Sequence, residues 1–160
     1  MLIYRMLGGV CLVSSGLWVY FIRDKFQKRK CIQLDAYINL LKYIKNQVEC
    51  YMKPIDSILS SCSCELLSLC GISSLGSMSS LEQMLENTSF YIDDDAIDVL
   101  YRFSKDYGKG YLDEQIKSCE KYTKELEELR TVYYEKRRKD KKLSLAISIS
   151  ISLSLFLILL

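Results

Sequence analysis

Apolar positions recur along most of this chain at alternating three- and four-residue intervals, the period that places side chains on one face of a helix. From residue 112 they read Leu112, Ile116, Cys119, Tyr122, Leu126, Leu129 and Tyr133. Between them lie Glu114, Lys117, Glu120, Lys121, Lys124, Glu125, Glu127, Glu128 and Arg130, many at the spacing that pairs charges on a solvated face. Neither glycine nor proline interrupts the chain after Gly110. The pattern therefore predicts one very long helix over 111–160, about 75 Å at helical rise. Earlier, Leu34, Tyr37, Ile38, Leu41, Ile44, Val48, Tyr51 and Met52 predict a helix face that ends at Lys53 and Pro54. Pro54 is suited to open a short helix over 54–59, because its missing amide needs no partner there. A weak stretch over 60–64 precedes a further short helix over 65–70, then a turn-rich connector over 71–77. Ser79 or Ser80 with Glu82 and Gln83 resembles a capping box for a helix reaching about Asn87. Asp93, Asp94 and Asp95 open another helix, with Ala96, Val99, Leu100, Phe103 and Tyr107 on one face, closed by Gly108 and Gly110. The expected fold is all-α: an antiparallel bundle of five or six helices.

The two ends change this picture. Residues 2–22 carry one charge, Arg5, and residues 143–160 carry none. The latter span about 27 Å as a helix, enough for a thin hydrocarbon core. Within them residues 147–155 alternate apolar residues with serine, which taken alone is a strand signature. A lone strand in lipid leaves its amides unpaired, so a helix is expected. Ser144, Ser148 and Ser152 then form a small face suited to close helix packing. At the other end, Trp18, Tyr20 and Phe21 form an interfacial aromatic belt, which favours a retained anchor over a cleaved leader. The expected organisation is an amino-terminal transmembrane helix over 1–22, a helical bundle over 23–142 and a carboxy-terminal transmembrane helix over 143–160.

Charge orients that arrangement. The net charge of +2 conceals two basic runs, Arg23, Lys25, Lys28, Arg29 and Lys30 near one apolar end, and Lys136, Arg137, Arg138, Lys139, Lys141 and Lys142 near the other. Residues 31–135 hold ten basic and eighteen acidic residues, a balance of −8. Both basic runs flank the expected anchors on their inner sides, which places the middle in the cytoplasm by the positive-inside rule. They also suit contact with anionic membrane lipid. With the basic excess concentrated at the membrane flanks and the middle net acidic, the chain gives no footprint for nucleic acid. The acidic middle is the expected partner surface, through Asp93, Asp94 and Asp95 or Glu125, Glu127 and Glu128.

Chemistry is sparsely represented. Histidine is absent, removing the commonest general base and metal ligand. Cys62, Cys64 and Cys70 supply three thiols without a nearby fourth ligand, and read better as small apolar residues on helices. Gly71 and Gly76 have the spacing of a phosphate loop, but Ser77 and Met78 stand where Lys and Ser or Thr are needed. Acidic residues at 93–95 suit a helix start through its dipole. No enzyme, cofactor or metal is expected.

The order of features resembles the stage III sporulation protein AB family of spore-forming Firmicutes. The matching parts are Leu7-Gly8 in the first apolar run, Arg29-x-x-x-Gln33-Leu34, then Ile44…Val48-x-x-Tyr51-x-Lys53-Pro54-Ile55, then Phe103-x-x-x-Tyr107-Gly108-Lys109-Gly110-Tyr111-Leu112-Asp113-Glu114-Gln115, and the basic run entering the apolar tail. The likeness covers essentially the whole chain; the serine-rich tail and the 71–80 connector depart from the family. The resemblance implies a platform or adaptor of the mother cell to forespore channel complex, held in the outer forespore membrane. It further implies a helical domain similar to the type II secretion platform protein, and as partners a secretion-type ATPase, stage III sporulation protein AA, with other channel subunits. Self-association stays open, as does a general membrane-anchored tether unrelated to sporulation.

Overall fold

The computed structural model describes the backbone of residues 2–72 and 80–159, and the side chains of residues 18, 20–72, 80–147, 149–151 and 154. The chain is all-α, and among the described residues there are six helices: α1 (Leu2–Tyr51), α2 (Ile55–Ser60), α3 (Cys64–Cys70), α4 (Leu81–Glu86), α5 (Asp94–Asp106) and α6 (Leu112–Leu159). Among the described residues there is no strand, only an isolated bridge between Ile72 and Thr88. Two compact units emerge, one of Arg29–Val132 and one of Met1–Lys28 with Tyr133–Leu160.

The first helix is longer than its sequence pattern suggests. Instead of ending with the apolar run at 22 and resuming with the stripe that begins at Leu34, α1 runs through the basic residues of 23–30. Lysine, arginine and glutamine there are good helix formers, and nothing between residues 17 and 51 breaks the ladder. It stops where Met52 takes φ 50° and Lys53 precedes a proline, which disfavours helical backbone. Pro54 is the N-cap of α2 rather than its first residue, in extended conformation at φ −66°, ψ 154°.

Within Arg29–Val132 the core follows the expected stripes. Leu34, Tyr37, Leu41, Ile44 and Val48 of α1, Ala96, Val99, Leu100 and Phe103 of α5, and Cys119, Tyr122 and Leu126 of α6 are all buried. Tyr37, Leu41 and Ile44 line one small cavity with Leu100 and Phe103, and the Phe103 ring meets that of Tyr122 edge-on. Tyr51 and Met52 do not join the core; they are 65% and 74% exposed, because the helix ends there and Met52 turns the chain. Ion pairs cross from α1 to α6 at Asp35–Arg130 (2.6 Å), Lys42–Glu127 (2.6 Å) and Lys45–Glu120 (2.6 Å). Their descending and ascending numbers report antiparallel helices.

Short helices are terminated by local chemistry. Ser63 Oγ accepts from Leu66 N at the start of α3, and Ser80 Oγ accepts from Gln83 N at the start of α4. Gly71 ends α3 at φ +90°, a left-handed position natural for glycine. At the start of α6, Tyr111 N donates to Glu114 Oε2 at 3.2 Å. Gly110 makes room for that return, since a Cβ there would lie 1.9 Å from the same oxygen.

Candidate docking and membrane-facing surfaces

Buried Gln33 organises one side of the larger unit. Its amide donates to Cys70 O and Ser89 O at 2.8 Å each, while its Oε1 accepts from Tyr91 N at 2.6 Å and Ile92 N at 3.2 Å. One side chain thus satisfies four backbone groups and holds the segment after α4 onto α1. Around it, Lys30 pairs with Asp93, and the Arg29 guanidinium lies 5.7 Å from the Tyr91 ring centroid. These two basic residues are therefore engaged within the bundle. Arg29 and Gln33 are brought together in the sequence only by the family resemblance, which does not reveal this job; a lone glutamine beside Leu34 gives no periodic signal.

The acidic residues fall into two groups. Asp93 occupies the N-cap position of α5 with its side chain bound to Lys30 rather than to the helix start, whereas Asp94 and Asp95 are exposed in the first turn. On α6, Glu125 accepts from Arg102 at 3.0 Å and Glu127 from Lys42 at 2.6 Å, while Glu128 is exposed. Arg102 also binds Asp98 at 2.9 Å, and these partners, Asp98 foremost, hold its guanidinium above its ordinary pKa. Nearby, the Tyr122 hydroxyl donates to the Asp106 carboxylate. That bond, first among the causes, lowers the carboxyl pKa of Asp106. Burial and the same carboxylate push the Tyr122 phenol up to about 12.

Of the basic residues in the smaller unit, Arg23, Lys25, Lys28, Lys136, Arg138, Lys139, Lys141 and Lys142 are exposed. Arg137 donates to Asp24 at 3.1 Å. The two line a cleft of about 360 Å³ together with Arg23, Asp140, Lys141, Ser144 and apolar side chains of α6. Ser144 is half-buried there, while the side chains of Ser148 and Ser152 lie outside the described residues. So do most side chains of the 1–22 stretch, and among the described residues no helix is long and apolar enough to cross a membrane.

The thiols divide by exposure. Cys31, Cys62, Cys70 and Cys119 are buried, and Cys50 and Cys64 exposed. Burial raises the Cys70 thiol to about 12 and that of Cys119 to about 11. Among the described residues no group of three or more acidic, cysteine or histidine side chains is arranged to hold a metal ion. The connector over 73–79, with Gly76 of the loop-like spacing, lies outside the described residues. No known protein family, curated protein or solved structure matches the chain.

Proposed function

We propose that this protein is a non-enzymatic platform or adaptor held in a membrane at both ends, with its acidic helical unit on the cytoplasmic side, serving the mother cell to forespore channel during endospore formation. The observation that carries the proposal is the order of segments: apolar, basic, acidic and helical, basic, apolar. Apolar runs of this length suit bilayer spanning, and basic residues on their inner flanks suit cytoplasmic retention of the middle. The sporulation setting rests on the resemblance described above. On this reading the basic residues at the flanks meet anionic lipid and the bundle docks a secretion-type ATPase and other channel subunits.

Asp94, Asp95 and Glu128 are the acidic side chains best suited to docking, since they are exposed while Asp93, Glu125 and Glu127 hold basic partners of their own. An approaching partner gains from an exposed carboxylate without displacing an internal pair. The test is co-purification from sporulating cells of the full-length protein and of a version lacking residues 31–142. Recovery of a secretion-type ATPase with the full-length protein alone is expected. An ATPase absent from both, with correct membrane insertion, would leave a general membrane tether as the function.

A further inference from the structure

The cleft in the unit of Met1–Lys28 and Tyr133–Leu160 combines two chemistries that neither an ion nor an apolar ligand needs together. At one end stand Arg23, Arg137 and Lys141 against Asp24 and Asp140, three cationic side chains to two carboxylates. Arg137 is committed to Asp24 at 3.1 Å, so the uncompensated charge at the mouth is one positive unit, borne by exposed Arg23 and Lys141 beside half-buried Asp140. At the other end α6 presents Leu143, Ile147 and Ile151. These recur at four-residue spacing along one face, and each is roughly half exposed. The volume of about 360 Å³ lies at the small end of ligand pockets. It is the size of a headgroup with the upper part of its chains rather than of a whole lipid.

We propose that this cleft binds one anionic phospholipid, its phosphodiester held by Arg23 and Lys141 and its acyl chain laid along Leu143, Ile147 and Ile151. A phosphodiester monoanion matches the single excess charge, and an acyl chain matches the exposed aliphatic face. Arg137 is the positioning residue: tethered to Asp24, it fixes the polar end of α6 opposite α1 within this unit. The inference rests on the membrane reading above and sharpens it. Diffuse attraction of basic residues to a charged surface treats all of them alike, whereas a built cleft singles out two.

The experiment uses full-length protein in neutral detergent micelles, with bound lipid counted by native mass spectrometry after addition of phosphatidylglycerol, phosphatidylcholine or inorganic phosphate. One phosphatidylglycerol retained in preference to phosphatidylcholine is expected. The double variant Arg23→Gln/Lys141→Gln should lose that retention by about tenfold or more, while Lys28→Gln/Lys136→Gln, equal in charge but outside the cleft, should change it less than about twofold. Equal losses in the two variants, or equal retention of both lipids, overturn the proposal, and displacement of the lipid by millimolar phosphate assigns the cleft to free anions instead. Alkaline carbonate extraction of the same proteins separates the two levels. A chain that stays in the membrane yet shows no cleft-specific lipid refutes the cleft alone, and a chain released from the membrane refutes both readings.

Discussion

Gln33 ties four backbone groups of the 70–92 segment to α1. Replacing it with leucine keeps the volume near but strands Cys70 O, Ser89 O and the amides of Tyr91 and Ile92. Each buried unsatisfied group costs about 1 to 3 kcal/mol, so urea unfolding of Gln33→Leu should show a loss of about 3 kcal/mol or more, with a wild-type midpoint counting against this account. Gly71→Ala attacks the same region from the other side. A Cβ there sits 2.5 Å from Ser89 O at a φ of +90°, and about 2 to 3 kcal/mol should be lost. The surface pairs should behave oppositely: Lys45→Gln, at a solvent-exposed pair with Glu120, should leave the urea midpoint at the wild-type value. Tyr122→Phe has a pH signature. Asp106 is depressed by the Tyr122 hydroxyl, so its contribution is present above the ordinary carboxylate pKa of about 4 and disappears as pH falls through the lower folded value. The stability gap between Tyr122→Phe and wild type should therefore be widest near neutrality and narrow in acid; a gap that widened in acid would contradict the assignment.

Helix existence was legible in the apolar spacing, and the ends were less so. Leu34, Tyr37, Leu41, Ile44 and Val48 on α1, and Cys119, Tyr122 and Leu126 on α6, are the residues that bury, as a 3.6-residue period requires. Ser80 caps α4 as its spacing to Gln83 indicates. The periodic stripe continues arithmetically to Tyr51 and Met52, yet it cannot tell that Met52 adopts a left-handed turn and leaves both side chains in solvent. Likewise the basic run over 23–30 breaks the apolar stripe without breaking the helix, because hydrogen bonding in the backbone is indifferent to a change of solvent along its face. Gln33 was invisible for another reason: its partners come from 70–92, and no local pattern encodes a tertiary hydrogen bond. On the proposed adaptor reading, docking on the helical unit is coupled to the membrane end along α6, one continuous helix, and that coupling makes its own prediction. Proline at 138 removes one ladder bond and clashes with the preceding turn. Arg138→Pro should insert and accumulate yet impair spore formation, and normal spore yield from a stable protein would defeat the coupling.

For the whole molecule, charge segregation is the property that the fold alone does not explain. A bundle needs no basic rims around its middle; on the proposed reading, membrane on either flank of a cytoplasmic unit would account for them. Internal pairs absorb part of that charge, at Lys30–Asp93 and Lys42–Glu127, and leave Asp94, Asp95 and Glu128 to the surface. Reversal of those three to lysine should abolish ATPase capture while the same change at Glu82 and Glu86 leaves it intact; unchanged capture would remove them from the interface.

The most direct measurement is thiol topology in intact cells. Among the described residues Cys50 and Cys64 are exposed on the helical unit and four other thiols are buried, so labelling reads both sidedness and packing. With a membrane-impermeant maleimide, Cys50 and Cys64 should stay unmodified in intact cells that retain the protein in carbonate-washed membranes, and should react once the membrane is opened, with Cys31, Cys62, Cys70 and Cys119 protected until unfolding. Labelling of Cys50 and Cys64 from outside intact cells, or recovery of the protein in the carbonate supernatant, would contradict a membrane-held platform facing the cytoplasm.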